Sequence, residues 1–451
     1  MEKMPARVTL QIHLDNRWQD AATVEFTTDA AGHRGATTLD YDTGYCFTHD
    51  PGMTGRVRGN AALSVRLPLS IEWRKLGHWP PFLMDLLPQG HARKVLADAL
   101  RISPDSNACD LPLLLRAGGG PIGNIRVKQA WDGEQARIAG MRQPGLTLED
   151  VFALDERFLE LAKEFAAIAA GSSGVQGAWP KVLLTQARDG LWYPDPLVPD
   201  DQARDHAIVK WPGDRHEATR LILAAEPPYL ELARAFGLRC ARPLTHRGNV
   251  LLIPRFDRRV EDGRVIRLGQ ESLVAAAVIA AFGHEAAHED YLAVIREVCT
   301  DPATEVTEYV LRDLLNLALG NPDNHGRNTA LQKDTDGTIR LTPLYDFCPM
   351  RLDATGVRRS TTWACMKAPG GPSRDLTPDW NTVCEVAAAG VMDASQLRRT
   401  LAAKADILRA LPDRARALGL DPQVIQRAMG RCPEMADAVA GLAHGASHAA
   451  P

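Results

Sequence analysis

The sequence predicts an α+β protein in which a β-rich N-terminal domain precedes a two-lobed C-terminal domain, with a mixed α/β upper lobe and an α-helical lower lobe. Three observations lead to this prediction. Short β-like segments separated by Gly, Asp and Asn fill residues 7–70. A Ser- and Gly-rich loop at residues 171–177 leads into a pair of strand-like segments. Residues 272–330 and 376–440 have a mostly helical pattern with Gly and Pro at the breaks.

Length and charge narrow the class of protein. A chain of 451 residues is too long for one compact core, so two or three domains or lobes are expected. The formal net charge of -4 and the lack of a basic run do not indicate direct binding of nucleic acid. The first residues lack a signal-peptide pattern, and no apolar run approaches the length of a membrane helix. We therefore expect a cytoplasmic protein whose eight scattered cysteines are reduced core thiols.

The N-terminal domain, residues 1–143, is predicted from alternating and helical segments and has no visible catalytic motif. A helical period over residues 78–100 is interrupted at Pro88 and Gly90, and Pro112 favours the start of a further helix at Leu111. Strands are expected at RVTLQIHL, ATVEFTT and ALSVRLPL, which are residues 7–14, 22–28 and 62–69.

Gly118, Gly120 and Gly123 match the G-x-G-x-x-G pattern of phosphate-binding loops. Such a loop must follow a strand and open a helix, so that the helix N-terminus meets the phosphate. Here the pattern follows a predicted helix and precedes the predicted strand NIRVKQAW. We therefore interpret it as a tight helix-to-strand connection.

The upper lobe, residues 144–265, begins with a linker at residues 144–149 and contains a candidate phosphate loop. The loop GSSGVQG feeds the predicted strand PKVLL, which returns through the turn ARDG as LWYP. A loop between strands that covers phosphates is the arrangement of protein kinases, and its backbone amides contact phosphate where no bulky side chain intervenes. A flexible linker is the alternative interpretation. The candidate nucleotide-binding residues are Ser172, Ser173, Gly174, Val175, Gln176 and Gly177.

Lys210, at the end of the β-branched segment HAIVK, is a candidate catalytic and ATP-binding lysine. Such a lysine needs a carboxylate partner on the next helix, and we prefer Glu226 to Glu217 because Glu226 leads the helical segment PPYLELARAFGL. Either acid also fits an ordinary helix surface. The segment GNVLLIPRF predicts a buried strand that runs into a hinge between the lobes, where main-chain groups of Arg255 and Phe256 are candidates for contacting adenine.

The lower lobe, residues 266–440, contains the most informative stretch of the chain, residues 315–347. An apolar helical segment breaks at residues 320–322, a polar loop follows, and a predicted β-hairpin ends in an acid. A kinase-type site needs an Asp that orients and deprotonates a hydroxyl, an Asn five residues later for a metal, and a strand-end Asp for Mg²⁺. Taken singly, these loop residues are also typical of a plain turn. The candidates are Asp323 and His325 as catalytic groups, and Asn328 and Asp346 as metal ligands.

These motifs, in this order, resemble the HipA family of bacterial toxin kinases over nearly the full length of the chain. The blocks that carry the resemblance are RLPL, MDLLPQG, DLPLLLRAGGGPIGNIRV, SSGVQGAWPK, HAIVKWP, PRFDRR, GNPDNHGRN and LTPLYDF. The resemblance implies a serine/threonine protein kinase that uses ATP and Mg²⁺. It also implies that Lys210 binds the ATP phosphates, that Asp323 is the catalytic aspartate, and that Asn328 and Asp346 hold Mg²⁺.

The same resemblance implies partners. Members of the family look like the toxin half of a toxin–antitoxin pair, in which a small helix-turn-helix antitoxin binds operator DNA and the kinase together. Contact with DNA would then be indirect. Known members target aminoacyl-tRNA synthetases, the glutamyl enzyme foremost, and silence themselves by phosphorylating a phosphate-loop serine, which here would be Ser172 or Ser173. This chain departs from the family pattern at Trp179, where Gln is usual, and at Gly174, where the modified serine is expected.

Two other functions stay open at this level. One is a nucleotide-responsive corepressor that binds an antitoxin without catalysis, and the other is a small-molecule phosphotransferase, because kinase-like folds of that class share the Asp-x4-Asn loop and the later Asp. The small and polar residues 441–451 predict a flexible tail.

Overall fold

A computed structural model of the chain describes residues 7–27, 31–141, 144–169, 179–366 and 377–443. Two compact units make up the fold. The first comprises Met1–Gly213, Thr245–Phe282 and Leu331–Thr338, and the second comprises Asp214–Leu244, Gly283–Ala330 and Ile339–Pro451. The first unit holds the two larger β-sheets, and the second is mostly helical, which confirms the predicted α+β class.

The described residues form strands and α-helices throughout both units. The strands are β1 (Arg7–Leu14), β2 (Arg17–Phe26), β3 (Thr37–Tyr41), β4 (Arg74–Leu76), β5 (Ile125–Val127), β6 (Lys181–Ala187), β7 (Trp192–Pro194), β8 (Ala203–Lys210), β9 (Thr245–Arg247), β10 (Val250–Pro254), β11 (Arg258–Glu261), β12 (Arg264–Arg267), β13 (Gly269–Ser272), β14 (Ala286–Ala287), β15 (Ala330–Lys333), β16 (Ile339–Leu341) and β17 (Thr361–Thr362). The helices are α1 (Thr43–His49), α2 (Gly90–Ala99), α3 (Asp110–Ala117), α4 (Lys128–Ile138), α5 (Leu148–Ala153), α6 (Glu156–Ala169), α7 (Glu217–Phe236), α8 (Leu273–Ala276), α9 (His288–Val298), α10 (Pro302–Ala318), α11 (Trp380–Ala388), α12 (Ala394–Ala402), α13 (Ala405–Ala417), α14 (Pro422–Ala428) and α15 (Cys432–Ala440). Within the described part of the chain, no helix has both the length and the apolar character that crossing a lipid bilayer requires.

The first sheet of the first unit is antiparallel, with the strand order β4-β3-β2-β1-β5. On β1, Val8, Leu10 and Ile12 are fully buried, because alternate side chains of a strand point to the same face. Strand β1 confirms the strand predicted at residues 7–14. Strand β2 contains the first five residues of the strand predicted at residues 22–28 but begins earlier, at Arg17.

The third strand predicted in this domain, at residues 62–69, is wrong. That segment forms only an isolated bridge between Ser64 and Leu67, and the third strand of the sheet is β3. The apolar side chains of the segment are buried as the pattern indicates, but its backbone bonds elsewhere. The N–H of Val65 donates to the carboxylate of Glu271 at 2.9 Å, so this N–H is unavailable for a strand ladder.

The glycine-rich stretch after α3 is a helix-to-strand connection, as predicted. Helix α3 ends with Gly118 as its C-cap, and β5 begins at Ile125. Gly123 has a φ of +89°, a left-handed conformation that glycine adopts without steric cost. The stretch therefore shapes a turn.

The second sheet of the first unit has the strand order β7-β6-β8-β10-β9 and confirms the predicted hairpin around ARDG. Helix α6 covers this sheet, and its Phe158 and Phe165 pack with Val182 and Val209 in one apolar cluster. Strand β8 lies between β6 and β10 and ends at Lys210. Lys210, the last residue of β8, is therefore paired with a strand on each side.

A buried ion cluster joins this second sheet to the connection after α3. Arg258 donates to Asp195 at 2.7 Å, and Arg255 donates to Asp257 at 2.8 Å. Both arginines also donate to the carbonyl oxygen of Pro121, at 2.9 and 3.0 Å. Burial raises the pKa of Asp195, but Arg258 and the other cations around it hold that pKa well below its ordinary value. The carboxylate therefore stays charged inside the first unit.

The second unit is built around α10, a 17-residue helix that starts with Asp301 as its N-cap and Pro302 at its first position. Helix α7 also belongs to this unit and begins at Glu217, well before Glu226, where the sequence predicted its start. The apolar face continues across Pro227 and Pro228, and burial of that face offsets the hydrogen bonds that prolines remove from a helix.

The eight cysteines are free thiols. Cys240 is half-buried, and Cys365 is exposed, so the prediction of core thiols fails for Cys365. The remaining six are buried: Cys46, Cys109, Cys299, Cys348, Cys384 and Cys432.

Replacing Asp195 with Asn should lower the free energy of unfolding by about 3–5 kcal/mol, because Arg258 would lose its buried carboxylate partner. Urea unfolding followed by circular dichroism measures the change. Asp201→Asn is the matched control, since Asp201 is an exposed acid in the same segment, and this variant should unfold with the wild type. Equal free energies of unfolding for the two variants would show that the ion cluster does not contribute to stability.

Candidate active site

The polar loop predicted after residue 319 begins where hydrogen bonding and packing hold the end of α10 in place. Helix α10 ends at Ala318, and the buried hydroxyl of Tyr229 donates to the carbonyl oxygen of Leu319 at 2.9 Å. Gly320 has a φ of +66°, and a Cβ there would lie 2.5 Å from the carbonyl oxygen of Ala428. The chain can therefore turn sharply at this position only because the residue is glycine.

Asn328 is fastened to Asp323 across the loop. Its side-chain Nδ2 donates to the carbonyl oxygen of Asp323 at 3.0 Å, and its backbone N–H donates to the carbonyl of His325 at 2.8 Å. With Nδ2 engaged, Oδ1 of Asn328 has a defined direction. That oxygen is buried and has no hydrogen-bond partner among the described residues. A buried, oriented amide oxygen of this kind suits a cation.

Asp346 follows β16 at a strained point of the backbone. Its φ is +52°, a left-handed conformation that is uncommon for a residue other than glycine. Both neighbours are held: the hydroxyl of Tyr345 donates to the carbonyl oxygen of Arg327 at 2.7 Å, and the fully buried Phe347 packs on Tyr229 with ring centroids 5.7 Å apart. The surrounding contacts therefore determine where the carboxylate lies.

Asp323, Asn328 and Asp346 line one pocket in the second unit. The amide oxygen of Asn328 and the carboxylate of Asp346 are oxygen ligands of the type that Mg²⁺ takes together with substrate phosphates. The donor set therefore fits Mg²⁺. His325 adjoins the same group, with its Nε2 3.4 Å from Oδ1 of Asp323. Neither ring nitrogen of His325 has a hydrogen bond within the described chain.

Lys210, the candidate ATP-binding lysine, is buried at the end of β8 opposite Lys181 of β6. Its ammonium lies 4.8 Å from the ring centroid of Trp179, which is a cation–π contact. In the second unit, Glu226 is buried and Glu217 is exposed, and a buried carboxylate is the one that needs a cation. The pairing of Lys210 with Glu226 stays a prediction.

Arg255 and Phe256, the predicted adenine contacts, are bonded within the first unit. The guanidinium of Arg255 belongs to the buried ion cluster, and its backbone N–H donates to the carbonyl of His206 at 2.9 Å. The carbonyl oxygen of Phe256 accepts a long bond of 3.4 Å from Gln332. Adenine binding at these two residues stays a prediction. The phosphate-loop candidates Ser172, Ser173, Gly174, Val175, Gln176 and Gly177 lie outside the described residues.

A buried polar group for which the sequence offered no motif lines the same pocket. Asp313 accepts hydrogen bonds from Arg359 at 2.5 Å and from the indole N–H of Trp363 at 2.9 Å. His288 stacks on Trp363 with ring centroids 4.5 Å apart. Burial, reinforced by Arg359, lowers the pKa of His288 to about 4, so its ring is neutral near pH 7. Asp313 could have been found from the sequence, because it is an acidic residue on the apolar face of a predicted helix.

Comparisons with known proteins match both the N-terminal and the C-terminal parts of the chain to one family. The family model described as HipA-like C-terminal domain matches residues 173–415, and the HipA N-terminal domain matches residues 30–128. "Putative kinase Y4mE" of Sinorhizobium fredii is 32% identical over 302 residues, which are 63% of this chain and 67% of that protein. "Putative kinase Y4dM" of the same organism is 25% identical over 278 residues, which are 59% of this chain and 61% of that protein.

A solved structure has the same fold. HipA of Shewanella oneidensis, determined with HipB and its operator DNA, aligns with a TM-score of 0.62 at 16% sequence identity. The alignment covers 97% of this chain and 99% of that one. Together with the two domain matches, this likeness confirms the predicted fold, a strand-rich N-terminal region followed by a kinase-like region. The chain therefore belongs to the HipA family.

Proposed function

We propose that this chain is an ATP- and Mg²⁺-dependent serine/threonine protein kinase that acts as the toxin of a HipA-type toxin–antitoxin system. The observation that carries the proposal is the pocket lined by Asp323, Asn328 and Asp346, in which the buried Oδ1 of Asn328 has no hydrogen-bond partner among the described residues. The family membership and the names of the two Sinorhizobium relatives support the same activity.

In this proposal each residue has one task. Asp323 orients the acceptor hydroxyl and takes its proton as the oxygen bonds to the γ-phosphorus and ADP leaves. Asn328 and Asp346 would hold Mg²⁺, which supplies neutralisation of the charge on the phosphates. Lys210 binds the phosphates, with Glu226 as its carboxylate partner. His325, next to Asp323, adds a polar group at the acceptor side.

The proposed partners follow from the family. The Shewanella protein was determined with HipB and operator DNA, and we propose an equivalent small helix-turn-helix antitoxin for this chain, with DNA contacted only through it. We propose an aminoacyl-tRNA synthetase as the protein substrate, since that class is what the resemblance implies. Ser172 and Ser173 are the proposed positions of self-phosphorylation.

Asp323→Asn should abolish transfer of labelled γ-phosphate to proteins of a bacterial lysate, with a loss of at least ~100-fold in rate, because an amide cannot accept the hydroxyl proton. The measurement is autoradiography of the lysate after incubation with the purified variant. Asp406→Asn is the control, because Asp406 is a fully exposed acid of α13, and this variant should label as the wild type does.

An Asp323→Asn variant that labels as well as the wild type would contradict the catalytic assignment. A wild-type chain that binds ATP and labels no protein would favour the corepressor. Labelling of a small molecule in place of a protein would favour the small-molecule phosphotransferase.

Asp346→Asn should raise the Mg²⁺ concentration needed for half-maximal transfer at least ~10-fold, because a neutral amide binds the ion more weakly than a carboxylate. Asn328→Ala should act in the same direction, since it deletes the oriented Oδ1. Titration of the transfer rate with MgCl₂ at constant ATP measures both. Asn381→Ala, at an exposed position of α11, is the control. Unchanged Mg²⁺ dependence in both site variants would remove these residues from the metal site.

A further inference from the structure

Three hydrogen bonds, which we call the clasp, join Asn324 of the catalytic loop to Thr361 in a segment that follows Asp346 in the chain. Nδ2 of Asn324 donates to the carbonyl oxygen of Thr361 at 2.8 Å, and Oδ1 of Asn324 accepts from the N–H of Thr361 at 3.2 Å. The hydroxyl of Thr361 donates to the carbonyl oxygen of Asn324 at 2.8 Å. The Asn324 amide thus pairs with a backbone as a neighbouring strand would, and Thr361 is buried in the pairing.

The same segment, residues 359–365, is held on its other side by helices α9 and α10. Arg359 and Trp363 donate to Asp313 of α10, and the carboxylate of Glu289 in α9 accepts from the N–H groups of Ala364 and Cys365 at 2.9 Å each. Strand β17 also pairs in parallel with β14. All of these contacts come from side chains and backbone groups of the second unit, and they hold the segment against α9 and α10.

The clasp affects phosphate transfer to a protein because it joins residues 359–365 to the residue next to Asp323. Asn324 is the next residue after Asp323, and both line the same pocket. An acceptor polypeptide must bring a hydroxyl to Asp323. In kinases the segment after the magnesium-binding Asp is the activation loop, whose closure completes the catalytic site and commits the substrate. Because Thr361 bonds directly to Asn324, these bonds set the position of residues 359–365 relative to the carboxylate of Asp323.

We propose that Asn324 is a positioning residue that sets residues 359–365 against Asp323, so that the segment aligns the polypeptide acceptor and not the nucleotide. This inference rests on the proposed kinase function. The bonds of the Asn324 side chain go to Thr361, whereas the oriented oxygen of Asn328 and the carboxylate of Asp346 belong to the proposed nucleotide and metal site. Loss of the clasp therefore displaces the acceptor more than the nucleotide.

Asn324→Asp tests the proposal, because the carboxylate has the shape of the amide but cannot donate to the carbonyl of Thr361 and repels it. We expect kcat/KM for the acceptor protein to fall about tenfold, the effect of one lost hydrogen bond. The fall should be larger for acceptor phosphorylation than for ATP hydrolysis without acceptor, because the three bonds of the clasp hold the segment and not the nucleotide. The acceptor is the lysate protein that the wild-type kinase labels most strongly, purified for the assay.

Two matched variants separate the clasp from general damage. Thr361→Val removes the hydroxyl bond to the Asn324 carbonyl but leaves both bonds of the Asn324 side chain, so it should give a smaller loss in the same parameter. Thr362→Val, at the half-buried next position, should behave as the wild type. Hydrogen exchange should be faster across residues 359–365 in Asn324→Asp and unchanged in Thr362→Val.

A wild-type kcat/KM for the acceptor in Asn324→Asp would overturn the proposal. An equal fall in acceptor phosphorylation and in ATP hydrolysis would also overturn it, because Asn324 would then merely support the catalytic loop. A wild-type chain that labels no protein is a different result, since it would refute the kinase function on which the proposal rests.

Discussion

The hydrogen bond from Nδ2 of Asn328 to the carbonyl oxygen of Asp323 is the contact on which the proposed chemistry depends. It closes the loop between the two residues and leaves Oδ1 of Asn328 buried without a hydrogen-bond partner among the described residues. Asn328 and Asp346 line the same pocket. The helix end at Leu319, the left-handed Gly320 and the strained Asp346 all serve this arrangement, because each fixes a chain segment at the pocket. Strain at Asp346 is tolerated because Tyr345 and Phe347 are held on either side.

The PRFDRR block has a structural role that its position near a predicted hinge did not suggest. Arg255, Asp257 and Arg258 form a buried ion cluster with Asp195, and two of them bond the carbonyl of Pro121 in the connection after α3. The cluster therefore links the N-terminal sheet region to the second sheet inside the first unit. Buried ion pairs add little net stability but make the loss of one partner costly, which favours keeping the whole block together.

Elements whose shape depends on neighbouring residues could be predicted from the sequence. Neighbouring residues set the alternation in β1, the hairpin around ARDG and the break of α10 at Gly320. Prediction from the sequence failed where partners are distant. The segment at residues 62–69 alternates like a strand, but its Val65 N–H bonds to Glu271, 206 residues away. Asn324 and Asp313 find their partners 37 and 46 residues further along the chain. No local pattern indicates such pairings, because the fold alone brings them together.

The most direct test of the proposed site is the position of a bound metal. Crystals of the chain grown with Mn²⁺ and a non-hydrolysable ATP analogue should show an anomalous peak about 2 Å from Oδ1 of Asn328 and from the Asp346 carboxylate. The account predicts that this peak contacts the phosphates of the analogue and disappears in Asn328→Ala crystals. A Mn²⁺ ion bound with the phosphates away from these two side chains would contradict it.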